Sequence, residues 1–169
     1  VQIVKSGQMG GRDEKEIYIF ISAHFCGDSF EAEARALHTE LLKLGMNAFM
    51  VDANTGDDFG ETTAIALLKM KSMVAFCSSE YGAKTSNAYC SYYELKYANE
   101  NKKHIIAIKR CEKCPPEPTD HDSGEAGKAN NSLVFGSGMA YLRYDKTWNA
   151  VECAKDVKKA FEKRHGVFR

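Results

Sequence analysis

The segment "IYIFIS", Ile17 to Ser22, is an uninterrupted apolar and aromatic run that ends on a hydroxyl. A strand with one wet face alternates apolar and polar residues, whereas a strand covered on both faces has no such alternation. The run is also too short for a buried helix, so it reads as a strand inside a parallel sheet. Working outward, "NAFMVD" (Asn47–Asp52), "SMVAFCSS" (Ser72–Ser79) and "HIIAIK" (His104–Lys109) repeat the pattern, and "MAYLRY" (Met139–Tyr144) supplies a fifth strand. Helical periodicity fills the gaps. Phe30, Ala34, Leu37, Leu41 and Leu44 fall at alternating steps of four and three, with Asp28 and Glu31 as N-terminal capping residues and Gly45 as a stop. "TAIALLKM" is a short helix, Asn87 to Asn99 another, and Ala150, Ala154, Val157 and Phe161 mark one face of the last. Strands alternating with helices, and apolar on both faces, demand a parallel sheet covered by helices on each side.

Residues 1–15 carry three glycines and no sustained period and read as a flexible lead-in, leaving 16–169 as one domain. The stretch 110–138 holds all three prolines among Gly, Asp and Asn, and reads as a long surface loop. The 169 residues suffice for a proper core. With 23 basic and 23 acidic residues, charge gives no case for nucleic acid or an anionic membrane. No apolar run approaches the ~20 residues of a membrane span. Six scattered cysteines suit reduced thiols and a cytoplasmic setting better than a disulfide framework. Cys111 and Cys114 form a tight pair with His104 and His121 nearby in sequence, but a second half-site is missing, so no metal is expected.

Ligands of open parallel sheets bind beyond the carboxyl ends of the strands. The loops there begin at Ser22 ("SAHFCGD"), Asp52 ("DANTGDDFG") and Cys77 ("CSSEYG"). None is a phosphate loop, for GxGxxG after the first strand and GxxxxGK[ST] are both missing. Nor does the chain place the acidic residues a phosphorylated receiver needs, since Ser22-Ala23 and Cys77-Ser78 stand there. In "CSYYELKYANEN" (Cys90–Asn101) a single carboxylate, Glu94, sits among aromatic and apolar neighbours. At about 100° per residue it shares a face with Cys90 and Ala98, at the border of a buried stripe formed by Tyr92, Leu95 and Asn99. Periodicity alone leaves two readings open: a surface acid paired with a lysine, or an acid aimed into a pocket.

Four segments, in order and spacing, resemble the Toll/interleukin-receptor (TIR) domain family from Ile17 to Arg164. "IYIFISAHFCGD" is similar to its first-strand motif, in which "FISYS" precedes an aspartate. "LLKLGMNAFMVD" is similar to its second strand. "DDFGETTAIALLKMKSMVAFCSSEY" is similar to its loop, short helix and third strand, and "YCSYYELKYA" to its "WCxxEL" helix. The resemblance implies a flavodoxin-like three-layer α/β fold with a five-stranded parallel sheet and helices on both faces. It also implies one of two functions: cleavage of NAD+ to nicotinamide and ADP-ribose or its cyclic form, in signalling or defence, or non-catalytic assembly with other TIR domains.

In the enzymes of the family the glutamate of "xxEL" is catalytic, and Glu94 matches it. Cleaving an N-glycosidic bond develops oxocarbenium charge on the ribose, which a nearby carboxylate stabilises. Nicotinamide leaves neutral, so one acid suffices, with NAD+ as substrate and no cofactor. The expected substrate contacts include Ser22 and Ser78 as hydroxyls for ribose or phosphate, and His24 beside the diphosphate. Phe25 and Tyr81 are expected as rings flanking nicotinamide or adenine. Ala23 stands at the "FISYS" tyrosine position, Cys90 at the family tryptophan position, and Asp52 closes the second strand. The rings read equally well as half-buried packing groups, the serines as turn residues and His24 as a loop histidine. Asp57, Asp58 and Phe59 lie in the loop with which TIR domains contact one another, and self-association is the partner expected there. A nucleoside deoxyribosyltransferase-like enzyme, which also uses a glutamate on ribose chemistry, is a more distant reading.

Overall fold

The computed structural model describes residues 16–51, 59–136 and 138–167. The lead-in 1–15 and the loop residues Asp52, Asp57 and Asp58, with the side chain of Phe59, lie outside the described residues. The elements run β1 (Ile19–Ser22), α1 (Ser29–Lys43), β2 (Ala48–Met50), α2 (Phe59–Lys69), β3 (Ser72–Cys77), α3 (Ser91–Glu100), β4 (His104–Lys109), α4 (Ala126–Val134), β5 (Leu142–Arg143) and α5 (Ala150–His165). All strand pairs are parallel, in the order β2-β1-β3-β4-β5. That order is the flavodoxin-like one, in which the chain reverses direction across the sheet between β1 and β3 and opens a crevice at the strands' carboxyl ends.

The double-sided apolar runs divide by the strand's two-residue period. Ile19, Ile21, Val74, Phe76, Ile106 and Ile108 meet Leu37 and Leu41 of α1 and Val157 and Phe161 of α5 on one face. Phe20, Met73, Ala75 and Ala107 meet Leu67 of α2, Leu95 and Ala98 of α3, and Phe135 at the end of α4 on the other. The expected caps are in place. Asp28 Oδ1 accepts from Glu31 N at 3.1 Å, and the chain leaves α1 through Gly45 at φ 78°. Asn149 caps α5 by accepting from Glu152 N at 3.0 Å.

Three elements differ from the sequence expectation, the first being α3, which begins at Ser91 rather than Asn87. The fifth strand shrinks to Leu142–Arg143, pairing with Ile108 and Lys109 at the sheet edge. Within the supposed surface loop 110–138 lies α4, which sequence periodicity does not reveal because polar groups pin it. Asp120, buried, accepts from Gly127 N at 3.1 and 3.2 Å and from Lys84 N at 3.0 Å. Asn131 Nδ2 donates to Tyr81 O at 2.8 Å and Pro116 O at 3.0 Å. Gly127 permits the close approach, since a Cβ there would stand 2.5 Å from the carbonyl oxygen of Gly82. Among the described residues no helix is long and apolar enough to cross a membrane.

Candidate active site

The buried stripe of α3 is Ser91, Glu94, Leu95 and Ala98, the i, i+3, i+4, i+7 pattern of a helix lying on a sheet. Asn99 is exposed and Tyr92 only half-buried, so the stripe is rotated from the expected one and Glu94 lies inside it. Glu94 is 2% exposed. The lysine pairing expected of a surface acid falls instead to Glu100, 3.8 Å from Lys96. β1 delivers Ser22, fully buried, directly opposite: its Oγ donates to Glu94 Oε2 at 2.5 Å. Behind it, the Tyr81 hydroxyl donates to Ser22 Oγ at 3.0 Å, completing a Tyr–Ser–Glu chain. Burial pushes the Glu94 carboxyl up to about 8, with the Ser22 hydrogen bond pulling the other way. No positive charge contributes to that balance. Burial likewise raises Tyr81 well above the ordinary phenol range.

Two clefts flank this acid, each of about 250 Å³. Ala23, His24 and Phe25 after β1, Val51 after β2 and Thr63 of α2 wall the first. Thr85, Asn87, Tyr89, Cys90 and Ser91 complete it from the loop and first turn of α3. Glu94 lines the second cleft, with Ala64 and Leu67 of α2 and Tyr93 and Tyr97 of α3. Tyr89, 38% exposed, belongs to both and stands between them.

Of the residues expected to contact substrate, the structure therefore brings Ala23, His24, Phe25 and Cys90 to one cleft and Glu94 to its neighbour. Ser22 and Tyr81 sit behind the clefts as partners of the acid, and Tyr81, fully buried, is no open stacking ring. Ser78 is buried in the turn after β3, its carbonyl accepting Tyr81 N at 3.1 Å. Phe25 is half-buried, with the Arg35 guanidinium 5.5 Å from its ring centre. Asp52 lies outside the described residues.

Thr63 escaped the sequence reading. It is 1% exposed, its Oγ1 has no hydrogen-bond partner, and it walls the first cleft. The signal was present: Thr63, Ala66 and Leu67 form the buried stripe of α2, and a hydroxyl inside an apolar stripe asks for a partner. On a helix, Tyr89 would stand about 100° from Cys90 and could not share its face. Residue 89 in fact precedes the helix, so that geometry does not apply to it.

No family model and no curated protein sequence matches the chain. Among solved structures, the TIR domains of the activated Roq1 resistosome, which directly recognises the pathogen effector XopQ, superpose with a TM-score of 0.52 at 12% identity, covering 85% of this chain and 98% of that one. The fold is that of a TIR domain. The crystallised RPS4 and RRS1 TIR domain heterodimer is also similar, with a TM-score of 0.49, 18% identity, and coverage of 90% of this chain and 100% of that one. The likeness is one of fold, and the residues that line the two clefts are this chain's own.

Proposed function

We propose that this TIR-like chain is an NAD+ nucleosidase that breaks the bond between nicotinamide and ribose, with Glu94 as the catalytic carboxylate. One observation carries the reading: Glu94 is buried beside a cleft and no cation compensates it. Such a group is complementary to a positive charge arriving with the substrate. NAD+ brings one on its pyridinium ring, and it migrates to the ribose as the bond breaks. The electron pair of the glycosidic bond stays on the nicotinamide nitrogen, which leaves neutral. The oxocarbenium ion at C1′ is held by the ionised Glu94 until water adds to give ADP-ribose, or a nitrogen of the adenine adds to give the cyclic form.

Ser22 fixes the carboxylate rotamer through its 2.5 Å hydrogen bond. Each cleft is slightly below the ~300 Å³ at which ligand pockets begin, so a dinucleotide spans both, around Tyr89, rather than filling one. The start of α3 at Cys90 and Ser91 opens into the first cleft, and the backbone N–H groups of Ser91 and Tyr92, which the turn itself does not use, suit a phosphate there. On this reading the domain acts in the cytoplasm, in signalling or defence, on NAD+ without a metal or further cofactor.

The test is chromatography of NAD+ incubated with the wild type and with Glu94→Gln. Nicotinamide release is expected to fall by about 10²–10³-fold in the variant. Because the working form is the carboxylate, kcat/KM is expected to rise with pH and level off above about 8. Equal release by both proteins would remove Glu94 from the reaction.

A second reading, a non-catalytic module acting by TIR–TIR association, is favoured by the exposed apolar side chains of α2, Ile65 (43%) and Leu68 (66%). Release of no nicotinamide at any protein concentration, together with sedimentation showing oligomers that Leu68→Lys dissolves, would select it.

A further inference from the structure

The turn Cys111-Glu112-Lys113-Cys114 follows β4 and walls neither cleft. Its two thiols are half-buried and face each other with Sγ–Sγ 3.5 Å. We propose that Cys111 and Cys114 are a reversible dithiol–disulfide couple, oxidised by low-molecular-weight disulfides, in which Cys111 is the attacking sulfur and Cys114 the resolving one. The inference is independent of the reaction proposed for Glu94.

Three observations carry it. A disulfide bond is about 2.05 Å long, so closure needs a movement of roughly 1.5 Å, within the reach of side-chain rotation in a turn. The two sulfurs are also unequal. As a thiol Cys111 donates to Lys113 O at 3.0 Å; as a thiolate it accepts from the Cys114 thiol. That donation, aided by the charge of Lys109, holds Cys111 below the ordinary thiol range, while the same contact and burial push Cys114 far above it. The remaining described thiols lack this arrangement. Cys77 and Cys153 are buried, exposed Cys26 is raised chiefly by its hydrogen bond with Asp28, and half-buried Cys90 has no second described thiol against it.

A metal reading finds no support in the ligand set. His104, near in sequence, lies at the opposite end of β4, roughly 20 Å away, and bonds Ser72 Oγ at 2.8 Å. Among the described residues no group of three or more His, Cys, Asp or Glu could hold an ion.

The chemistry balances with the small disulfide as oxidant. The Cys111 thiolate attacks one of its sulfurs, forming a mixed disulfide and expelling one small thiolate, which takes up a proton. Cys114 then gives up its proton and attacks Cys111 Sγ, forming the intramolecular bond and expelling the second small thiol. Two protein thiols are oxidised and one small disulfide is reduced to two thiols.

The test equilibrates the purified chain, without oxygen, against a series of reduced and oxidised glutathione ratios, then alkylates and maps peptides by mass. The expected result is a single transition that removes two alkylatable thiols, both in the 111–114 peptide. Cys114→Ser is expected to trap glutathione on Cys111, and Cys111→Ser to leave Cys114 unreacted. At pH 7, iodoacetamide is expected to modify Cys111 on the order of tenfold faster than Cys26. The proposal is overturned if all six thiols stay alkylatable at the most oxidising ratio, or if glutathione settles on Cys26 while the pair stays reduced. It is overturned equally if Cys114 reacts as fast in Cys111→Ser as Cys111 does in Cys114→Ser.

Discussion

The two helical layers on this sheet are built by different rules. In the α1/α5 layer the fully buried helix positions are Ala34, Leu37, Leu41, Cys153, Ala154, Val157 and Phe161, and charge is paired, outside in Lys155–Glu152 and half-buried in the two-bond Arg110–Glu33 pair. In the α2/α3/α4 layer the corresponding stripes carry Thr63, Ser91, Glu94 and Asn131. A buried hydroxyl or carboxylate weakens a core unless a partner satisfies it. Ser91 has such a partner, accepting from Gly82 N, and Asn131 has half of one: its Nδ2 donates to Tyr81 O and Pro116 O, while its Oδ1 has no partner. Thr63 has none and Glu94 has only a hydroxyl where an ion pair would be expected, and both wall clefts. The α1/α5 layer keeps its buried helix positions apolar, and the α2/α3/α4 layer carries buried polar groups that its own hydrogen bonds do not all satisfy.

That contrast can be broken from either side. Phe161→Ala, in the structural layer, is expected to lower unfolding free energy by about 3–5 kcal/mol in urea titrations, while nicotinamide release per folded molecule stays at the wild-type value. A smaller effect there, or a loss of activity in the folded fraction, would mean that the layers are not separable.

Glu94 tests the other side through pH. Its carboxyl is raised in the folded state from 4.5 to about 8, so the unfolded chain ionises first and native protein holds the extra proton between those values. Stability from this group is therefore complete below about 4.5 and is lost as pH rises through 8. Between pH 5 and pH 8 the wild type is expected to lose on the order of 3 kcal/mol relative to Glu94→Gln, read from paired denaturation curves. Parallel pH profiles for the two proteins would show that Glu94 is ionised and solvated.

The smallest expected effect is at Thr63. Replacing it by Val removes an unpartnered hydroxyl and keeps the shape, so stability should stay within about 1 kcal/mol of wild type or rise. If the hydroxyl serves a ligand, KM for NAD+ rises about tenfold with kcat little changed. An unchanged KM would return Thr63 to the core.

How much of this was legible in the sequence follows from which interactions are local. "IYIFIS", "SMVAFCSS" and "HIIAIK" are apolar on both faces whatever surrounds them, and their order with amphipathic helices between leaves few sheets to choose from. The caps at Asp28 and Gly45 depend on neighbours within a few residues, and they stand where the sequence puts them. Glu94 was singled out by its setting among aromatic residues. Its rotation into the stripe was not legible, because a helix wheel alone does not say which face meets the sheet. The helix α4 is not legible for a related reason: Asp120 and Asn131 bind it to Lys84 and Tyr81, dozens of residues away, through bonds that leave no periodic trace.

The amino-acid sequence by itself determined the strands, the helices, their alternation and hence a parallel sheet with a rim of loops, because hydrophobic periodicity and capping are properties of short segments. Only the tertiary structure decided that Ser22, Tyr81 and Glu94 meet in one hydrogen-bonded chain, that Tyr89 divides two clefts, and that Thr63 is left without a partner. The physical reason is that burial and the cost of removing a charge from water depend on what the rest of the chain packs around a group.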